Sequence, residues 1–247
     1  MFSAWKLQLR LLSRSSFFMS MALLTPVAYG AIALLMSGQG HVSVRVAIGA
    51  GLLGAWSATL YGAAEALFMQ RFTGTLEFIV GAPKPLALSV AGFSAASASL
   101  GLYSVIAALA VSVVFFSDRL VLVDVWGTVL SLVLSLIGLM AVGMTLAALY
   151  VVTRQAIELT NVLEYPVWIL CGVLVPASTL WPPLAWLGKT LPLGWSMDGL
   201  DAASEGRSPV LPLVVAAVLT MAYFALSVLL LRLVENLSRV KGTLTLR

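Results

Sequence analysis

Three features of the chain have the residue types that chemistry needs. Gly188-Lys189-Thr190 ends as a phosphate-binding loop ends. In G-x-x-x-x-G-K-[ST] the glycines let backbone N–H groups cradle phosphate. The first glycine of that loop falls at position 183, and Pro183 stands there. No other lysine follows a glycine, so the chain is not expected to hydrolyse ATP. Glu65 and Glu164 border long apolar runs, and an ionisable group at mid-bilayer costs about 2.5–3.5 kcal/mol, less near the interface. Either acid reads as a polar contact in a translocation path, as a latch to Arg71 or Arg154, or as a solvated helix end; nearness to the interface favours the last. His41 lies in a predicted loop, and Cys171 lies in an apolar run and has no second cysteine to pair with. One histidine and one cysteine are too few for a zinc-protease motif or a Cys/His metal cluster. No catalytic constellation, metal site or cofactor is expected in this chain.

The elements that position these residues are set by composition. Of 247 residues, 61% are hydrophobic and only 10% charged, where a soluble domain carries about 25% charged residues. The charges are clustered, and they leave six long charge-free runs: 15–44, 46–64, 86–116, 125–153, 165–188 and 208–231. About 20 apolar residues carry a helix across a hydrocarbon core of about 30 Å. Backbone groups find no water in lipid, so helices are expected, and the runs are too continuous for a barrel's short alternating strands. The chain therefore reads as an all-α integral membrane protein with six transmembrane helices.

Span one covers roughly Phe17 to Met36, with Pro26 at its middle. Span two covers roughly Val46 to Phe68 and carries Ala50, Gly54, Ala58 and Gly62 four apart. Such small residues let helices approach closely, within the chain or at a subunit interface, the first being the preferred reading. Span three lies in Leu86–Phe116, about 46 Å of helix, so it tilts or projects from the membrane. Span four lies in Val125–Val152, and Thr153 to Asn161 reads as a short loop. Span five starts near Val162, with Pro166 at its entrance and Pro176 near its far end. Residues 181–207 are too broken for a span and too apolar for an ordinary loop, and read as a re-entrant or interfacial helical hairpin. Span six covers roughly Val210 to Leu231.

With the N-terminus in the cytosol, Lys6, Arg10, Arg14, Arg71, Lys84, Arg154, Arg232, Arg239, Lys241 and Arg247 lie inside. Only Arg45, Arg119, Lys189 and Arg207 lie outside, which fits the positive-inside rule and puts both termini in the cytosol. Residues 1–14 read as an interfacial helix: Lys6, Arg10 and Arg14 recur on one face, opposite Phe2, Trp5, Leu9 and Leu12. A cleaved signal peptide is disfavoured because the apolar stretch after it exceeds the usual 7–15 residues.

Between spans two and three stands RFTGTLEFIVGAPKP, residues 71–85. It resembles the cytosolic coupling segment of ABC-2-type transporter permeases, where a pattern close to R-x-x-G-T-L-E…P docks on an ATPase subunit. The match is Arg71, Gly74, Thr75, Leu76, Glu77 and Pro83. Leu191-Pro192-Leu193 in the hairpin before the last span is similar too. Phe78-Ile79-Val80-Gly81-Ala82 departs from the leucines and polar pair common in relatives. The resemblance implies the permease subunit of a bacterial ABC exporter in the cell membrane. It implies a separate ATPase partner, which holds the ATP and magnesium, and a second permease chain, identical or related. A helix from Thr73 to Gly81 would lie in the ATPase groove through Leu76, Phe78 and Ile79. Membrane lipids are further partners, and no nucleic-acid partner is expected.

Candidates for the path of an apolar or amphiphilic substrate, whether drug, antibiotic, lipid or glycolipid, are Trp56, Tyr61, Glu65, Tyr103, Glu164 and Trp168, with Tyr150 beside them. Core packing or lipid contact is the competing reading for each aromatic residue. A stand-alone secondary transporter or channel would show charges deep in its spans and repeat symmetry, and neither is evident. A membrane scaffold would bind partners without ATP-dependent flux.

Overall fold

A computed structural model of the chain describes residues 2–16, 20, 24, 27–28, 44–75, 78–79, 81, 85–116, 123–152, 156–173 and 180–241. Most of the expected first span with Pro26, and His41, Leu76, Glu77, Pro83, Lys84, Asp118, Arg119, Thr153, Arg154, Pro176 and Arg247, lie outside them. The described residues are mostly helical and contain no strand.

The elements are α1 (Phe2–Arg14), α2 (Val44–Thr59), a π-helical turn (Leu60–Ala64), α3 (Glu65–Phe72), α4 (Leu86–Phe116) and α5 (Val125–Val152). They continue with α6 (Ala156–Leu170), α7 (Pro182–Gly188), α8 (Pro192–Ser204) and α9 (Val210–Lys241). Four stretches are long and apolar enough to cross a membrane: Arg45–Phe72, Leu86–Val113, Val125–Val151 and Val210–Asn236. The end of the bundle holding Phe72, Leu86 and Val152 is called the base here, and the end holding Arg45, Asp124 and Val210 the crown.

Local chemistry sets the helix limits. Asp124 caps α5, its Oδ1 accepting from the Gly127 N–H at 3.0 Å. Prolines open α7 and α8, where the missing N–H has no partner to lose. Ser112, Ser131, Ser135, Thr145 and Thr220 donate to the carbonyl four residues back, which satisfies hydroxyls that apolar helices would otherwise strand.

The small-residue stripe of span two packs within the chain. Ala58 clusters with Ala96 and Leu100, and a Cβ at Gly62 would stand 2.6 Å from Ser97 Oγ. Beside the stripe, a Cβ at Gly51 would stand 2.5 Å from the Val105 Cα. Backbones approach this closely only across glycine.

α1 joins this packing through its inner face. Leu12 is buried with Ala58 and Leu100, and Trp5 and Leu9 pack beside it. Trp5 Nε1 donates to Ser99 Oγ at 3.2 Å, and Gln8 Nε2 to the Gly62 carbonyl at 2.9 Å. Lys6, Arg10 and Arg14 are exposed on another face, and Leu7 and Leu11 on a third. The expected opposition of two faces thus becomes three: protein, lipid-like and basic. α1 meets α4 at Ser99, about 20 Å along the helix from Leu86. From Ser99 to Phe116 is about 26 Å, close to one hydrocarbon core.

The residues expected to form a hairpin fold as two helices, α7 and α8, joined by a short turn. α8 lies between α5 and α9, and its first residue, Pro192, meets Gly138, about 20 Å down α5 from Val125. A Cβ at Gly188 would stand 1.7 Å from the Leu170 carbonyl oxygen, so the hairpin tip abuts the end of α6.

Three boundaries differ from expectation. α6 already includes Ala156 to Asn161, because a polar, amphipathic stretch at the base still winds as a helix. Pro166 lies inside α6, and the helix stops at Leu170, before Pro176, with Gly172 left-handed at φ 70°. α9 runs on through Arg232 and Arg239 to Lys241.

Candidate coupling segment and buried acid

The residues after span two first serve to stop a helix. Thr73 follows the last residue of α3 and Gly74 has φ 71°. The Gly74 N–H donates to the Arg71 carbonyl at 3.1 Å and the Thr75 N–H to that of Gln70 at 2.9 Å. This pair of bonds, closed over a left-handed glycine, is the Schellman C-cap. Thr73 Oγ1 adds a bond to the Met69 carbonyl at 2.9 Å, and Thr75 Oγ1 bonds the Gln70 side chain. A helix starting at Thr73 is therefore not formed, because a left-handed residue cannot continue a right-handed helix. Phe78 and Ile79 are helical, and Gly81 lies in a bend.

Arg71 docks on another helix. Its Nη1 donates to the Val151 carbonyl at 2.5 Å, in the last turn of α5. Carbonyls at a helix C-terminus lack intrahelical partners and carry partial negative charge, so a cation suits them. Of the latches considered, one from Arg71 to Glu164 is not formed: Arg71 bonds backbone instead. Ile79 packs on the cluster of Leu67, Leu86, Val90, Leu231 and Val234. The Leu86 N–H donates to Glu235 Oε2 at 3.3 Å, which ties the start of α4 to α9. Phe78, by contrast, is 81% exposed, and Phe72 is exposed beside the cap.

Of the expected path residues, the structure brings four together. Glu164 is 7% exposed. Its Oε1 accepts from Ser57 Oγ at 2.9 Å and its Oε2 from Tyr61 OH at 2.7 Å. Tyr61 OH also lies 3.4 Å from Asn161 Oδ1. Trp56 and Trp168 are buried in the adjoining apolar core with Leu193 and Met197 of the hairpin. The solvated-end reading of Glu164 is corrected by this burial: one face of α6 turns the acid against α2. Tyr61 belongs to the π-helical turn, a winding that recurs at functional sites. Tyr103 is exposed on α4 and stands outside this group, Tyr150 is buried beside Thr160, and the side chain of Glu65 lies outside the described residues.

Sequence reasoning missed Ser57 and Asn161. It also missed a polar clasp at the crown. Arg45 pairs with Asp201 of α8 and donates through Nη2 to the Gly172 carbonyl at 2.5 Å. Lys189 pairs with Asp198 and sits 4.8 Å over the Trp195 ring. Arg45, Asp198, Asp201, Glu205 and Arg207 line a cavity of about 500 Å³. Arg45 and Asp201 are too far apart in sequence for any spacing to announce them. Glu164 did carry a signal, an acid followed by Tyr165-Pro166 at the mouth of an apolar run.

The profile of a family described as ABC-2 type transporter matches residues 1–203. No curated protein matches the chain.

Proposed function

The chain belongs to the ABC-2 type transporter family, and from that premise we propose that it is the membrane-spanning permease subunit of an ATP-driven exporter. It is a multi-pass membrane protein with apolar helices. In this reading it crosses a bacterial cell membrane six times, with the base and both termini in the cytosol. It moves an apolar or amphiphilic substrate out of the cytoplasm or the inner leaflet. A separate ATPase subunit binds ATP and magnesium, and a second permease chain completes the path.

One observation supports the coupling role above others. The turn after α3 is anchored on one side, through Arg71 on α5 and Ile79 on the core, and exposes Phe78 on the other. Exposed aromatic residues are of the kind enriched where proteins meet. In the proposed cycle the ATPases close on ATP and push this turn. The push passes to α5 through Arg71 and to the α4–α9 contact through Ile79, and re-packs the helices around Glu164.

The test is co-purification of the tagged chain with a P-loop ATPase from its native membrane, followed by Phe78→Ala in the complex. The variant is expected to fold normally and to lose most stimulated ATPase activity. A monodisperse chain that brings down no ATPase, or a variant with unchanged stimulation and export, would refute the coupling role.

A further inference from the structure

We infer that Glu164, with Ser57 and Tyr61, is a recognition point for the cationic group of an amphiphilic substrate; this deepens, and rests on, the proposed export function. Both carboxylate oxygens of Glu164 accept from neutral hydroxyls. Among the described residues the ion pairs are made by Arg45, Lys189 and Arg207, none of them with Glu164. Among the described residues this buried carboxylate, ringed by neutral donors, has no side chain supplying the countercharge that burial calls for. A cation brought by a ligand supplies it, whereas an anion meets repulsion.

The surroundings suit the rest of such a ligand. Trp56 is buried, and its Nε1 has no hydrogen-bond partner. Trp168 is buried in the same core. Indole faces attract cations and accept apolar rings. The depth is suitable as well. Ser57 lies about 8 Å along α2 from Gly62, where α1 docks. With α1 in the headgroup layer, Glu164 stands just inside it. In the proposed cycle the re-packing of the helices around Glu164 is the step that admits a charged head from that layer.

The experiment is equilibrium dialysis of two ions of equal shape and opposite charge, tetraphenylphosphonium and tetraphenylborate, each measured separately against the purified full-length chain in detergent. The cation should bind saturably and the anion should not. Glu164→Gln should weaken cation binding about tenfold or more, and Tyr103→Phe, at an exposed residue of α4 outside the group, should hold it within about threefold. Absence of saturable cation binding, or equal binding by Glu164→Gln, overturns the assignment. If Glu164→Gln fails to fold, the wild-type chain decides: saturable binding of the cation alone supports the assignment, and saturable binding of both ions overturns it. The measurement needs no ATPase, so its failure leaves the export reading to stand or fall by co-purification.

Discussion

The Arg71 guanidinium donates to the Val151 carbonyl at 2.5 Å. Arg71 lies in the last turn of the helix that precedes the proposed coupling turn, and Val151 lies in the last turn of α5. One bond therefore joins the turn proposed to meet the ATPase to a helix that runs the length of the bundle. The bond is local in space and distant in sequence, and a shift of the turn cannot leave α5 unaffected.

Arg71→Ala is predicted to cost about 2 kcal/mol, the range of a hydrogen bond from a charged group, and to lower the midpoint of thermal unfolding. Arg71→Lys keeps the charge but not the planar fork, and should recover only part of the loss. Equal melting of wild type and Arg71→Ala would show that the contact carries no stability.

Gly74 makes a different prediction, because a Cβ there meets nothing within 4 Å. The cost of Gly74→Ala is backbone strain alone, about 1–2 kcal/mol for a left-handed residue with a side chain. Asparagine tolerates that conformation, so Gly74→Asn should melt above Gly74→Ala. If alanine and asparagine melt together at the wild-type value, the cap is not limiting.

At the crown, Asp201→Ala leaves Arg45 with the Gly172 carbonyl as its remaining described partner. The predicted loss is about 1–3 kcal/mol, less than for a fully buried pair, because Asp201 keeps 21% of its side chain exposed. Arg45→Ala with Asp201→Ala should lose less than the two single losses together. A double-mutant cycle with no coupling would remove the clasp from the account.

Much of the fold was legible in the residues because charges and prolines mark where apolar helices end. α1, α4 and α5 occupy the stretches that charge spacing marks out. The limits of α6 were not legible. Its first turns are polar, and a polar stretch at the base resembles a loop by composition. Its end is set by Gly172 and by the close approach of Gly188 to Leu170, and both are tertiary facts. The local structure built by R-x-x-G-T after span two was not legible. Arg71, Gly74 and Thr75 turn out to build a helix stop, which leaves Phe78 to face outward. The clasp between Arg45 and Asp201, and the hydroxyl of Ser57 on Glu164, depend on pairings that no local pattern encodes.

α1 grips the helix after Arg45 at Gly62, inside the one turn of that helix that departs from α-helical winding. From Gly62 the helix runs about 15 Å to Phe72 and about 26 Å to Arg45. The grip is thus the fulcrum of an unequal lever. A sideways push of the coupling turn arrives at Arg45 reversed in direction and enlarged about 1.7-fold if the helix swings as one body.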